Sequence, residues 1–480
     1  MSITTTVSST TRTPGTFAQL DVTSGSAGLV PIDNQVLLIG AYNGTGDSAM
    51  TQIFDVEQSD TLFAQGTEIA LMVRAALAKY REAGRAAKLY AIGVASPSGG
   101  TAAIHTVTFA NTATAGGTIY IRVAGRSYQI GVSIGDTVAV VALAAKAALD
   151  LDLANLPVTA SVSAGVLSLT ANCKGVNGND ITVIVDDVGQ TGVTGTVALG
   201  GGATPAGAGV TTLTTALVTS LSLDFDSIAI ANHASADVTA LGTHFASAWA
   251  PAEKKWRFAM IAENGSVSTA NALSSAADSE KFCVLNCEGM PDLPGNVAAR
   301  TAAHVATFIP RDGEKPNANW DDSEIGSYAP SFANTFTSTE LESALGGGTS
   351  PLMPNRARDG LRIVKLQTTK LTHNSAPVNL IDLSTMRGLV YVARQVDATL
   401  LTQFMGINKT EQVIKRIRSV VFQKLLELQD TGVCQNVEEY FSQLIVETDS
   451  LVPSRVVVSI PASIIPNLHQ IVAKHVLYVE

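Results

Sequence analysis

The spacing of apolar positions changes several times along the chain, and each change marks a different kind of element. Residues 35–40 and 88–94 are short, nearly continuous apolar runs, as expected of strands buried on both faces. Between them Ile69, Val73, Ala76, Leu77 and Tyr80 recur at helical spacing up to Gly84, which predicts one strand–helix–strand unit. The same rhythm returns later, with strands predicted at 227–231, 256–262 and 281–286 and helices at 234–248, 268–276 and 297–308. It is broken in between by a Thr/Val/Gly-rich stretch, 101–205, that holds only 10 charged residues. Strand-like runs recur there at 105–110, 117–123, 127–132, 159–163, 166–171 and 181–186, around one Ala-rich helix at 138–149. Short strands separated by turn residues predict a compact β-rich module inserted into the α/β rhythm.

Helical spacing dominates the last quarter. After a strand at 361–366, Met386, Leu389, Val390, Ala393, Val396, Leu400 and Phe404 mark a helix opening at Ser384 and stopping at Gly406. A second helix opens at Asn408 with Glu411 three positions on and ends at Gly432. Its apolar stripe is Val413, Ile414, Ile417, Val421, Leu425 and Leu428, and its other face carries Lys409, Lys415, Arg416, Arg418 and Lys424. Two β-branched runs, 454–460 and 472–479, predict strands, the second almost at the last residue. Residues 310–360, broken by Pro316, Pro330, Pro351 and Pro354, read as a long irregular loop. The first 35 residues are Ser, Thr, Gly and Pro-rich, an arm able to add to an exposed sheet edge.

The expected fold class is therefore mixed α/β (α+β). It comprises an N-terminal arm (1–35), an α/β core (36–100 and 206–310), an inserted β-rich domain (101–205), an irregular linker (311–360) and a C-terminal domain (361–480).

Composition changes this picture in one respect. The chain is 46% hydrophobic and 15% charged, against a usual charged fraction of about 25%. So little charge suits a surface largely covered by other subunits. The net charge of −10 is uneven: residues 361–480 carry 12 Lys/Arg against 10 Asp/Glu, and the remainder 19 against 31. A nucleic-acid binder would be strongly basic, so none is expected as a partner. No apolar run suits a membrane span and the first residues lack a leader pattern, so assembly in a cytosol without membrane insertion is the expectation.

The sequence holds no catalytic constellation of a familiar spacing. Gly40, Gly44 and Gly46 miss the dinucleotide spacing, and no Gly-Lys-Ser/Thr follows. The seven histidines stand in no ligand spacing, and no Gly-x-Ser-x-Gly elbow is present. Cys283 and Cys287 lie four apart with no second pair. Asp186-Asp187, Asp321-Asp322 with Glu324, and Glu438-Glu439 read as solvated loop acids. Neither a cofactor nor an enzymatic activity is expected.

The order of parts carries a resemblance. Thr13-Pro14-Gly15-Thr16-Phe17, then Val36-Leu37-Leu38-Ile39-Gly40, the insertion around 117–130 and the end from 422 to 480 together resemble the contractile tail sheath proteins of bacteriophages, most closely the Mu-like branch. The resemblance implies a virion subunit, assembled in the host cytoplasm, that stacks as hexameric rings around a tail tube and contracts to drive it through the host envelope. Its implied partners are further copies of itself, the tube protein, and baseplate and tail terminator proteins. It further implies strand exchange between subunits through Thr13, Pro14, Gly15, Phe17, Val472, His475, Val476, Leu477, Tyr478 and Val479. A tube-facing C-terminal domain would offer Arg387, Arg394, Lys415, Arg416 and Arg418. Two other readings are a surface-layer or adhesin subunit, which shares the low charge, and an enzyme with an unfamiliar site.

Overall fold

The computed structural model describes residues 34–43, 48–200, 206–309, 315–373, 376–377, 382–449 and 455–469. The chain runs from β1 (Val36–Tyr42) through β2 (Thr51–Ile53), α1 (Val56–Phe63) and α2 (Glu68–Glu82) to β3 (Leu89–Ala95). The insertion contributes β4 (Ile104–Ala110), β5 (Gly117–Val123), β6 (Arg126–Val132), α3 (Val138–Asp150), β7 (Val158–Ser163), β8 (Val166–Ala171), β9 (Val183–Asp186) and β10 (Thr194–Leu199). There follow α4 (Thr214–Ser220), β11 (Ser227–Ile230), α5 (Ser235–Ala248), β12 (Phe258–Glu263), α6 (Val267–Ala277), β13 (Phe282–Asn286) and α7 (Pro294–Thr307). Next are β14 (Glu324–Gly326), α8 (Ser338–Gly346), β15 (Thr349–Pro354) and β16 (Leu361–Ile363). The last elements are β17 (Thr372–His373), β18 (Ala376–Pro377), α9 (Leu383–Phe404), α10 (Glu411–Asp430), β19 (Ile445–Thr448) and β20 (Val456–Ser459).

One sheet organises the body, in the order β14-β16-β15-β13-β12-β11-β1-β3-β2. From β15 to β3 its strands run parallel, and antiparallel strands close both edges. Alternate residues feed two cores. Val36, Leu38, Met260 and Leu285 pack with α2 and α7, while Leu37, Ile39, Ile261 and Val284 pack with α4, α5 and α6. Covering both faces is what makes these strands continuously apolar, each buried large side chain contributing about 1.5–3 kcal/mol.

The segment expected to be irregular is not. Residues 311–360 supply β14, α8 and β15, and β15 with β16 extends the core sheet across the boundary expected at 361. Two prolines disguise β15; Pro351 lacks an N–H, yet its carbonyl still accepts from Val364 (3.0 Å). The start of α8 carries a full capping box between Thr337 and Glu340.

The insertion folds around its own core, in which Val107, Ile121, Val141, Leu167 and Leu169 are buried between the sheets β10-β4-β8-β7 and β6-β5-β9 and helix α3. Leu71 of α2 and Leu293 before α7 belong to that same core, so the insertion is seated on the body.

Helix α9 is shared between two cores. Leu383, Met386 and Val390 pack against the body, whereas Val392 and Val396 pack with Ile417, Val421, Leu425 and Leu428 of α10. At the changeover Arg387, only 5% exposed, meets Asp226 at 2.8 Å. Its guanidinium also donates to Asn34 Oδ1 (3.0 Å) and the Val305 carbonyl (3.3 Å), and it stands 5.4 Å from the Trp320 ring centroid. Removing one member of a buried, hydrogen-bonded pair costs about 3–5 kcal/mol. Arg387→Ala and Asp226→Ala are each expected to lose about that much stability in urea unfolding. The Arg387→Met/Asp226→Leu double variant is expected to recover most of it, and single variants within about 0.5 kcal/mol of wild type would contradict this account.

Candidate assembly interface

The C-terminal block presents a helical hairpin and a two-stranded ribbon. In α10 the Thr410 hydroxyl accepts from the Val413 N–H, displacing the cap expected at Asn408, and Gly432 supplies the left-handed turn (φ +76°) that ends the helix. In α9 the cap position falls on Asp382, not Ser384, which is buried.

Of the five cations expected to face a tube, three are engaged inside the subunit. Arg387 is the buried partner of Asp226, so the expectation of a surface role is corrected: it lies on the face of α9 that packs on the body. Arg394 on the same face pairs with Asp224 (2.9 Å) and donates to the Trp256 carbonyl (3.2 Å). Arg418 stacks 4.4 Å from the centroid of Phe441 and donates to its carbonyl. Lys424, counted on the polar face, is buried and paired with Glu427 (2.7 Å). Lys415 and Arg416 are exposed, as is Lys409 near the hairpin turn. Beside them Leu401 and Met405 stand 60% and 71% exposed, an apolar tip.

Strands β19 and β20 form an antiparallel ribbon in the register Ile445↔Ser459 to Thr448↔Val456. Val446 and Val458 pack on the α9–α10 core, while Ile445 and Val457 face outward. Among the described residues no third strand joins the ribbon, so its outer edges carry open backbone groups. Thr13, Pro14, Gly15, Phe17, Val472, His475, Val476, Leu477, Tyr478 and Val479 all lie outside the described residues.

The groups with catalytic potential are committed to packing. All four cysteines are free and buried; burial pushes the Cys287 thiol up to about 12 and that of Cys434 to about 11, which leaves neither as thiolate. Burial also holds His304 neutral, lowered to about 3, with its ring nitrogen on Ser323 Oγ (2.8 Å). Asp187 accepts from the Thr191 and Gly192 N–H groups, Asp186 pairs with Arg122, and Asp322 pairs with Arg362. Among the described residues no group of three His, Cys, Asp or Glu is placed to hold a metal ion.

One polar crevice lies where doubly wound sheets bind ligands, at the carboxyl ends of β1 and β11 where the strand order reverses. Here it is occupied by the protein. Glu68, at the first position of α2, accepts from the Ala41 N–H of β1 (3.4 Å) and lines the crevice. Asn177, from the insertion's short turn Val176–Asp180, donates to Glu68 (3.2 Å) and to Asn232 Oδ1 (3.3 Å). Asp180 faces His233 at 3.4 Å. A cavity of about 20 Å³ remains, room for about one water molecule.

No protein-family model matches the sequence. A 180-residue stretch is 31% identical to the Mu-like prophage FluMu tail sheath protein of Haemophilus influenzae, and this match spans 36% of the chain and 36% of that relative's length. The anti-feeding prophage helical sheath in its contracted state superposes with a TM-score of 0.50, covering 97% of this chain and 99% of the other at 11% identity. A sheath tail protein from Desulfitobacterium hafniense gives 0.47, with 91% and 94% covered at 15% identity. The chain has the fold of a tail sheath protein. The expected fold class and the likeness to Mu-like tail sheath proteins hold; the comparisons say nothing of the individual contact residues.

In this sheath fold the crevice carries a pH signature. Burial raises the Glu68 carboxyl to about 7, against the bonds from Asn177 and Ala41 and the nearby His233, which lower it. A carboxyl raised on folding binds its proton more tightly in the native state, so its contribution is full below the ordinary value of 4.5 and is lost as pH rises through about 7. Glu68→Gln is therefore expected to flatten the fall in melting temperature over that interval, measured by differential scanning calorimetry in a pH series. An unchanged slope would rule out Glu68 as its source.

Proposed function

We propose that this protein is the structural subunit of a contractile tail sheath. Copies stack as hexameric rings around a tail tube, held between baseplate and tail terminator proteins, and contraction drives the tube through a host envelope. The observation that carries the reading is a convergence. The sequence relative and the fold neighbour, found by different criteria, are both sheath proteins by name. The low charge, the open-edged β19–β20 ribbon and the exposed hairpin tip agree with a subunit that lives in a polymer. The crevice at the strand-order reversal is narrowed by Glu68 and Asn177 to room for about one water.

In the assembly, residues 1–35 and 470–480 add as strands to a neighbour's sheet, through Thr13 to Phe17 on one side and Val472 to Val479 on the other; the ribbon edge is the receiving surface in this reading. Lys415 and Arg416 are the remaining cations for the tube. Contraction exchanges one set of intersubunit contacts for a more favourable one, so the stored energy lies in the extended lattice and no nucleotide is consumed.

Electron microscopy of the protein expressed alone and with its tube protein tests this. Hollow striated cylinders are expected, and deleting residues 1–20 or the last ten is expected to abolish them. The Lys415→Glu/Arg416→Glu variant changes each subunit–tube contact by only about 1 kcal/mol per charge, but the loss repeats in every copy. It is expected to leave subunit folding intact and remove sheath from tubes. Monodisperse particles under all conditions would overturn the sheath reading.

A further inference from the structure

The last described residues, 460–469, run as an extended strap across the C-terminal block onto the body. The Gln435 N–H donates to the Ser463 carbonyl (2.8 Å), and the Ile465 N–H donates to that of Val433 (3.1 Å). Ile464 lies so close over Gly388 that a Cβ there would come within 2.8 Å of its methyl group. Asn467 Nδ2 donates to Ser384 Oγ (2.6 Å), and Asn317 and Asn319 donate to the carbonyls of Ile465 and Leu468.

The strap ends in a charged pincer. His469 directs Nδ1 at Asp321 and Nε2 at Asp382, each at 2.5 Å. Asp321 belongs to the segment after α7, and Asp382 is the cap residue of α9. Lys365 Nζ stands 3.0 Å from the other oxygen of Asp382, so the charged groups facing the ring are two carboxylates and one ammonium. A neutral imidazole has one donor; both nitrogens meet carboxylate oxygens favourably only when both carry protons.

We infer that His469 is a protonation-dependent clamp that pins the strap 460–469 to the body. The clamp belongs to the single chain.

The sign of the pH dependence follows from the groups present. Partial burial lowers the basicity of the ring, but the bonds to Asp321 and Asp382 outweigh it and hold the pKa above 6.5. The clamp is thus fully present below the ordinary histidine value and is lost as pH rises through the raised one. On the acid side, burial pushes the Asp321 carboxyl above its ordinary value despite His469, with Asp382 adding to the rise, so acid opens that jaw early. The clamp is tightest between these limits.

Hydrogen–deuterium exchange over residues 455–480 of the full chain, from about pH 6 to about pH 9 and corrected for intrinsic exchange, is the test. Protection of the strap amides is expected to fall by up to about tenfold per pH unit over the interval in which His469 deprotonates. His469→Ala should show the low protection at every pH, whereas His469→Arg, still charged and two-pronged, should keep protection and lose its pH dependence. Strap protection in the wild type that does not change with pH would overturn the proposal, and so would unaltered protection in His469→Ala. If either variant fails to fold, the wild-type titration alone decides. Because exchange is read on unassembled chain and cylinders are read by microscopy, the clamp and the sheath reading fail separately.

Discussion

A guanidinium held out of water in the first half of α9 decides how the C-terminal block sits on the body. Arg387 reaches Asp226 just before β11, Asn34 just before β1 and the last turn of α7, which Asn34 also bonds through the Ala306 carbonyl (2.9 Å). Apolar contacts alone leave a helix free to slide or rotate by small amounts, since Leu383, Met386 and Val390 meet an aliphatic surface with little directional preference. A charged fork with fixed partners does not. Arg394 on Asp224 and Lys254 on Asp397 continue the same seam further along α9. With α9 placed, α10, the ribbon and the strap follow, because each packs on α9 or on something already packed there.

The same body has the topology of a ligand-binding sheet and has closed its own ligand crevice. Glu68 lines that crevice, and the insertion's turn fills the space above it. Two functions of the fold are thereby exchanged: a site that would recognise a small molecule becomes the seat that holds the inserted domain on the body. Gly66 shows how close that seat is, for a Cβ there would lie 2.3 Å from the Leu156 carbonyl oxygen and the residue has a positive φ of 68°.

What the sequence discloses and what it hides divides by range. Elements defined by local period were legible: the strands of 117–123 and 166–171 and the helix ending at Phe404 fall where spacing placed them, because burial on one face or both leaves its mark every two or 3.6 residues. Short elements were not, among them β2, α4, β10 and β19. The prolines of β15 masked a strand whose partner strands supply the missing order. Polar residues misled most. Arg387 and Lys424 read as surface because charge is usually solvated, and only a partner far along the chain reverses that preference. The networks of Glu68 with Asn177 and of His469 with Asp321 and Asp382 join residues separated by 109, 148 and 87 positions. No periodicity links such positions.

The distribution of order along the chain bears on how such a subunit assembles. Regular elements are locked by burial and by buried charge, and the described chain then ends in a strap held by Ile460, Ala462 and Ile464 on the C-terminal core, by single hydrogen bonds and by one pincer at His469. Such hydrogen bonds are individually worth about 0.5–1.5 kcal/mol, with charged ones stronger, so the pincer adds a titratable increment to the apolar seating of the strap. A ribbon with open edges lies in the same block, where β19 and β20 pair only with each other among the described residues. The division of labour is thermodynamic: α9 and its buried pair supply rigidity, and the strap ends in a contact whose strength depends on protonation.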